Sequence, residues 1–232
     1  MQPAVRWRYL NRNPAVDAGR NPEPPREELR PFHPDQVDAA AAELDGSDQA
    51  AVILAAETGL RTSEWPALER RDVDRTGPVP VVHVQRRVVR GVVKPYPKTH
   101  RSRRQVPLTD AALAALDDLP PRLDTPLLFP APEGGLRLDN RRTRERYPAL
   151  DAARVDRRGP YHLRHTFATE ALAGGVSLYH LHRVMGTSLR EIDRTYGHLA
   201  RDSHASILAQ LNTRSQRKGH EKATASDPGT DR

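Results

Sequence analysis

The stretch Leu163-Arg164-His165-Thr166-Phe167-Ala168-Thr169 decides the reading of this chain, together with the residues C-terminal to it. Gly174-Gly175-Val176 interrupts the segment, Met185-Gly186-Thr187-Ser188 comes next, and Tyr196-Gly197-His198 begins nine residues beyond Thr187. The pattern predicts a helix over Leu163–Ala173, ended by the glycine pair. Ser177 is placed to cap a short helix running to Met185, and Ser188 to cap another that carries Tyr196.

Working backwards, the body is mostly helical. Pro34 suits a first helical position, and Val37 to Leu44 follow it. Ala50 to Glu57 form an apolar helix closed by Gly59, and Thr62 is a good cap for a third helix through Leu68, with Pro66 early in it. Then the period changes. Val81, Val82, Val84, Val88 and Val89 predict a strand around Gln85-Arg86-Arg87. Arg104 to Leu108 predicts a second, with Gly91 to Arg103 as the connection. Thr109 caps a helix over Asp110–Leu116, and Asn140 to Ala153 reads as helical although Pro148 interrupts it. His204 to Leu211 closes the body. The fold class expected is α+β, mostly α-helical, with one small antiparallel sheet.

Residues 1–32 contain Asn13-Pro14 and Glu23-Pro24-Pro25 and read as an extended linker. Residues 213–232 are rich in Ser, Lys, Gly, Asp and Thr and read as a disordered tail. Residues 33–212 form the domain between them.

The chain has 232 residues, with 37 Lys+Arg against 30 Asp+Glu and a net charge of +7. That surplus favours a polyanionic partner, nucleic acid being the commonest. There is no cysteine, which excludes disulfides and cysteine-ligated zinc. No apolar run approaches the roughly 18 residues of a membrane span, and Met1 to Arg30 lacks the apolar centre of a signal peptide. A soluble, cytoplasmic protein is expected. His162 and His165 stand three apart, but no cysteine or carboxylate completes a zinc site there, so no metal is expected.

An ordered set of motifs carries the function. Thr58-Gly59-Leu60-Arg61-Thr62-Ser63-Glu64 joins two helices, Pro97-Lys98-Thr99 precedes the basic strand Arg104-Gln105-Val106-Pro107-Leu108, and Arg164 lies 32 residues before Tyr196. This order resembles the catalytic domain of the tyrosine recombinase, or phage integrase, family from about residue 30 to 212. The resemblance implies a site-specific recombinase that cleaves and rejoins duplex DNA through a phosphotyrosine intermediate, without metal, ATP or another cofactor. It implies a homo-oligomer on paired DNA sites and allows accessory DNA-binding proteins. Members of the family also carry an N-terminal helical domain that closes around the duplex; that domain is expected to be missing from this sequence, with residues 1–32 a remnant of the linker out of it, since Arg6-Trp7-Arg8-Tyr9 and Asn13-Pro14 resemble its exit.

Residue by residue, the resemblance makes Tyr196 the nucleophile, Arg61 and Arg164 the clamp on the phosphate, and Lys98 the proton donor to the leaving oxygen, with Lys94 competing for that role. Two guanidiniums suit the task because paired donors match the charge on non-bridging phosphate oxygens. A phenol with an ordinary pKa of about 10 needs a proton acceptor or a strongly positive site. Arg101, Arg103, Arg104 and His162 are expected to contact DNA, a solvated basic loop being the alternative for the three arginines. Glu64 is expected to be structural, meeting the helix dipole or holding Arg61, and His165 to be a buried structural donor. His180 and His182 are expected to pack or to face water.

Two positions depart from the family pattern. Tyr161 stands where the family has a histidine, with His162 one place out of register. Thr187 stands where it has histidine or tryptophan, and a hydroxyl donates a hydrogen bond but carries no charge. A catalytically impaired DNA-binding remnant is therefore the alternative function. A generic basic interaction protein explains the charge but not the ordered motifs.

Overall fold

The computed structural model describes residues 5–12, 30–96, 103–137, 139–199 and 208. Helix α1 (Pro34–Ala42) starts where expected. Pro34 sits in its first turn, and the Gln36 side chain accepts the backbone N–H of His33 at 3.1 Å. Helix α2 (Gly46–Thr58) is longer than its apolar run suggests, because Gly46-Ser47-Asp48 adds a polar first turn. Its buried face, with Ala51, Leu54 and Ala55, packs into the main core.

Gly59 ends α2 with φ +61°, and a Cβ there would come within 2.3 Å of the Phe167 ring. Gly59→Ala is thus both left-handed and overpacked, a combination expected to lower stability by roughly 1–3 kcal/mol. A urea midpoint equal to wild type would show that the contact between Gly59 and Phe167 is slack.

The third helix does not form as an α-helix. Residues 62–64 turn, and Trp65–Ala67 make a 3-10 segment, with a second at Arg70–Asp72. Pro66 removes a donor, and the Glu64 carboxylate accepts the Arg61 backbone N–H at 2.8 Å, which tightens the chain into a turn.

The predicted first strand divides at Gln85. Strand β2 (Val81–Val84) lies between β1 (Val73–Asp74) and β5 (Arg104–Pro107) in an antiparallel sheet, with Val82 opposite Val106. Val82, Val84 and Val106 point into the core. Beyond Gln85 the chain forms a separate hairpin of β3 (Arg86–Val89) and β4 (Val92–Pro95). Its two-residue turn, Arg90-Gly91, has both φ values positive, as a hairpin of that length favours. Strand β4 thus occupies part of what the sequence reads as connection.

Helix α3 (Asp110–Asp117) is capped by Thr109, whose hydroxyl accepts the Ala112 N–H. Helix α4 (Asp139–Ala152) contains Pro148, and α5 (Tyr161–Ala173) begins two residues before the expected Leu163. Ser177 and Ser188 cap α6 (Leu178–Met185) and α7 (Leu189–Tyr196) as their sequence positions imply. A satellite core of Ala168, Leu181, Met185, Ile192 and Tyr196 joins α5, α6 and α7. The fold is α+β, mostly helical, with small antiparallel sheets. No helix among the described residues is long and apolar enough to cross a membrane.

Candidate active site

The fold collects its arginines at the C-terminal end of α6. A helix leaves its last carbonyls without intrahelical partners, at the negative end of its dipole. Three consecutive ones each accept from a different arginine. Arg104 Nε donates to the Val184 carbonyl at 2.6 Å, Arg164 Nη2 to Met185 at 2.9 Å and Arg61 Nη2 to Gly186 at 2.6 Å. Arg164 also donates to the Gly59 carbonyl. Gly186 permits this turn: its φ is +62°, and a Cβ there would meet the Arg104 side chain at 2.9 Å. Arg61 and Arg164, 103 positions apart in sequence, thus bind neighbouring carbonyls of the turn that leads into α7.

Beneath them lies Glu64, which is fully buried. Its carboxylate accepts Arg61 Nη1 at 2.8 Å, Arg104 Nη1 and Nη2 at 2.9 and 2.7 Å, and the Tyr96 hydroxyl at 2.6 Å. Burial alone would raise its pKa. The bonds and charge of Arg104, then Arg61 and Tyr96, outweigh burial and hold it well below the ordinary carboxylate range. The Tyr96 phenol is pushed up to about 12 by burial and by its bond to Glu64, so it remains a donor. Burial, with the neighbouring Arg61, pushes Arg164 down to about 10, still protonated at neutral pH.

Tyr196 ends α7 with its ring in the satellite core and only 3 % of its surface exposed. Its hydroxyl lies 2.7 Å from His165 Nδ1. Burial raises the phenol above its ordinary value, although nearby Arg164 works the other way. Burial, with His162 and Arg164, lowers His165 to about 4. Tyr161, half exposed, meets the edge of the His165 ring with centroids 4.8 Å apart. His162 instead turns its Nδ1 to the Gly159 carbonyl at 3.2 Å, which requires that nitrogen to carry the proton.

Not every expected site residue comes together here. Thr187 is half-buried at the rim and donates its backbone N–H to the His182 carbonyl at 3.2 Å. Arg103 is exposed. Arg104, expected on the surface as a DNA contact, has a side chain only 6 % exposed and spends its guanidinium on Glu64 and Val184. Lys98 and Arg101 lie outside the described residues, while Lys94 is exposed on β4 opposite Arg87. Two contributions escape sequence reasoning: Glu64 as the anion shared by three partners, and His165 as the partner of Tyr196. Glu64 draws on Arg104 of β5 and on Tyr96 after β4, and His165 on Tyr196 of α7, partners that meet only in the folded chain. A cleft of about 780 Å3 runs beside the site, from Arg103, just before β5, and Gln105 on it to His182, Arg183 and Thr187.

The lowered His165 pKa has a consequence for stability. A histidine that resists protonation when folded binds its proton more readily when unfolded. Its stabilising contribution is full above the ordinary value of about 6.5 and falls as pH drops from there towards about 4. The groups facing it are Tyr161, His162 and Arg164 on its own helix and Tyr196 from α7. Urea midpoints measured between pH 7 and 4 should decline in wild type and decline less in His165→Asn. Parallel curves would contradict the shift.

Residues 31–203 match the profile of the phage integrase family. The chain belongs to that family, the enzymes that break and rejoin DNA in site-specific recombination. Among solved structures, the Tn1549 transposon integrase in complex with circular intermediate DNA is similar at 20 % identity, with a TM-score of 0.63, covering 85 % of this chain and 75 % of that one. XerA recombinase is similar at 20 % identity and TM-score 0.59, covering 84 % of this chain and 66 % of that one. A lambda integrase dimer on a core site is similar at 15 % identity and TM-score 0.58, covering 82 % and 68 %. At these identities the likeness concerns the fold. Comparison with curated proteins gives no match.

Proposed function

We propose that this site transfers a DNA strand to Tyr196. The observation that carries the reading is the convergence of Arg61 and Arg164 on the turn that leads into the tyrosine's own helix. Both guanidiniums are held in place before substrate arrives, as preorganised donors for developing phosphate charge should be. The phenolic oxygen attacks phosphorus, the bond from phosphorus to the deoxyribose oxygen breaks, and that oxygen leaves as a hydroxyl. Lys98 supplies its proton in this reading. Thr187 and Tyr161 flank the clamp as hydrogen-bonding groups. Arg103, with Arg101, follows the DNA backbone, while Arg104 supports the clamp from below.

Duplex DNA is the partner in this proposal, bound by a homo-oligomer on paired sites. The net charge of +7 and the basic cleft support it, as do relatives solved on DNA. Tyr196 is buried, so duplex binding has to bring its oxygen to the phosphate with His165 still beside it. The test is to incubate the protein with negatively supercoiled plasmid, stop with detergent and look for covalent protein–DNA adduct. Adduct in wild type and none in Tyr196→Phe is the expected result. Equal adduct in both would remove Tyr196 from the chemistry.

A further inference from the structure

We infer that His165 is the catalytic group that takes the proton from Tyr196 as the phenol attacks phosphorus, a role that rests on the strand-transfer reading above. The geometry is direct: His165 Nδ1 and the Tyr196 oxygen are 2.7 Å apart. Among the described residues no other side chain bonds that hydroxyl, and with 3 % of the tyrosine exposed, bulk water is a poor candidate for the base. The proton has to leave through the protein.

The neighbours fit the role. His162, whose ring lies beside that of His165, has its Nδ1 committed to the Gly159 carbonyl. Tyr161 presents a phenol, which is a weak base at neutral pH, and its contact with His165 is edge-on, fixing the plane of the imidazole. Thr187 carries no basic group. With its ring proton on Nε2, His165 accepts the Tyr196 O–H through Nδ1.

In the transfer step the O–H bond of Tyr196 breaks and its proton forms a bond to Nδ1. The phenolic electron pair forms the bond to phosphorus, and the deoxyribose oxygen departs with a proton from the general acid. Religation runs the same steps backwards, with the imidazolium returning its proton to the phenol. Burial, with His162 and positive Arg164 beside it, holds His165 neutral. A phosphate diester in the clamp brings a negative charge that offsets Arg164. The imidazole then becomes more basic when the substrate is in place.

The experiment compares covalent adduct formation on supercoiled plasmid by wild type, His165→Asn and His165→Ala, with Tyr196→Phe as the blank. Asparagine places an oxygen near the Nδ1 position and preserves hydrogen-bond acceptance, but it takes no proton. Its initial rate is expected to fall by roughly 10²-fold, the lower end of general-base contributions. His165→Ala should fall as far and recover on addition of imidazole, in proportion to the unprotonated fraction as pH is varied. A purely structural histidine would give no such dependence.

A His165→Asn rate within threefold of wild type, or no imidazole rescue of an alanine variant shown to be folded by circular dichroism, overturns the proposal and leaves Tyr196 chemistry standing. Absence of adduct in wild type overturns the strand-transfer reading itself, and this proposal with it.

Discussion

Glu64→Ala is expected to lower the unfolding free energy by about 3–5 kcal/mol, the range for breaking a buried ion pair by removing one partner. Glu64 has no exposed surface, and Arg104, whose side chain is 6 % exposed, would keep its charge without an anion. Arg61 would suffer less, because its side chain is 32 % exposed and water can reach it. The Tyr96 hydroxyl would lose an acceptor as well. The comparison that isolates the effect is Arg61→Ala, which should cost less than Glu64→Ala in the same urea titration. Glu64 also has a depressed pKa, so its contribution is complete above the ordinary carboxylate value of 4.5 and is lost as pH falls below it. At pH 3 the gap between wild type and Glu64→Ala should narrow. A loss under about 1 kcal/mol at neutral pH would place this cluster with solvated surface pairs.

Arg164→Lys should reduce adduct formation by roughly 10²–10³, the scale for loss of one transition-state donor. The two side chains are not equivalent here. Arg164 spans the Gly59 and Met185 carbonyls with its two terminal nitrogens, whereas an ammonium presents one compact charge. The environment matters too. Burial and the neighbouring Arg61 bring this guanidinium from 12.5 down to about 10. A lysine, starting near about 10.4, would be driven towards its neutral form by the same surroundings. Activity in Arg164→Lys should therefore fall further as pH rises from 7 to 9, while wild type should not share that decline. Arg103→Lys is the control, since Arg103 is exposed. Equal loss in both variants would assign Arg164 to general charge rather than to the clamp.

Much of the fold was legible in the sequence, and the reason is locality. Thr109, Ser177 and Ser188 act on N–H groups only three residues away, so the chemistry that starts each helix is written beside it. The order of Arg61, Arg164 and Tyr196 was legible through resemblance. What was hidden depends on distant pairings. Val81 to Val89 is rich in β-branched residues on both sides of Gln85. Only the pairing of Val82 with Val106 and the bond from the Tyr96 N–H to the Gln85 carbonyl divide it between two sheets. Arg104 sits in a basic stretch and reads as a surface cation, because its anion is 40 residues earlier. His165 reads as structural until α7 packs on α5 and brings Tyr196 to it across 31 positions.

The arginine contacts at the end of α6 bear on which substitutions the turn can tolerate. The three guanidiniums grip the carbonyls of Val184, Met185 and Gly186, which every amino acid supplies alike. Only Gly186 is constrained by the backbone itself, through its positive φ and the arginine pressed against it. Position 187 therefore lies outside the grip, and a change of its side chain leaves the three arginine contacts of the turn in place. Thr187→His should consequently be accommodated with an unchanged melting temperature.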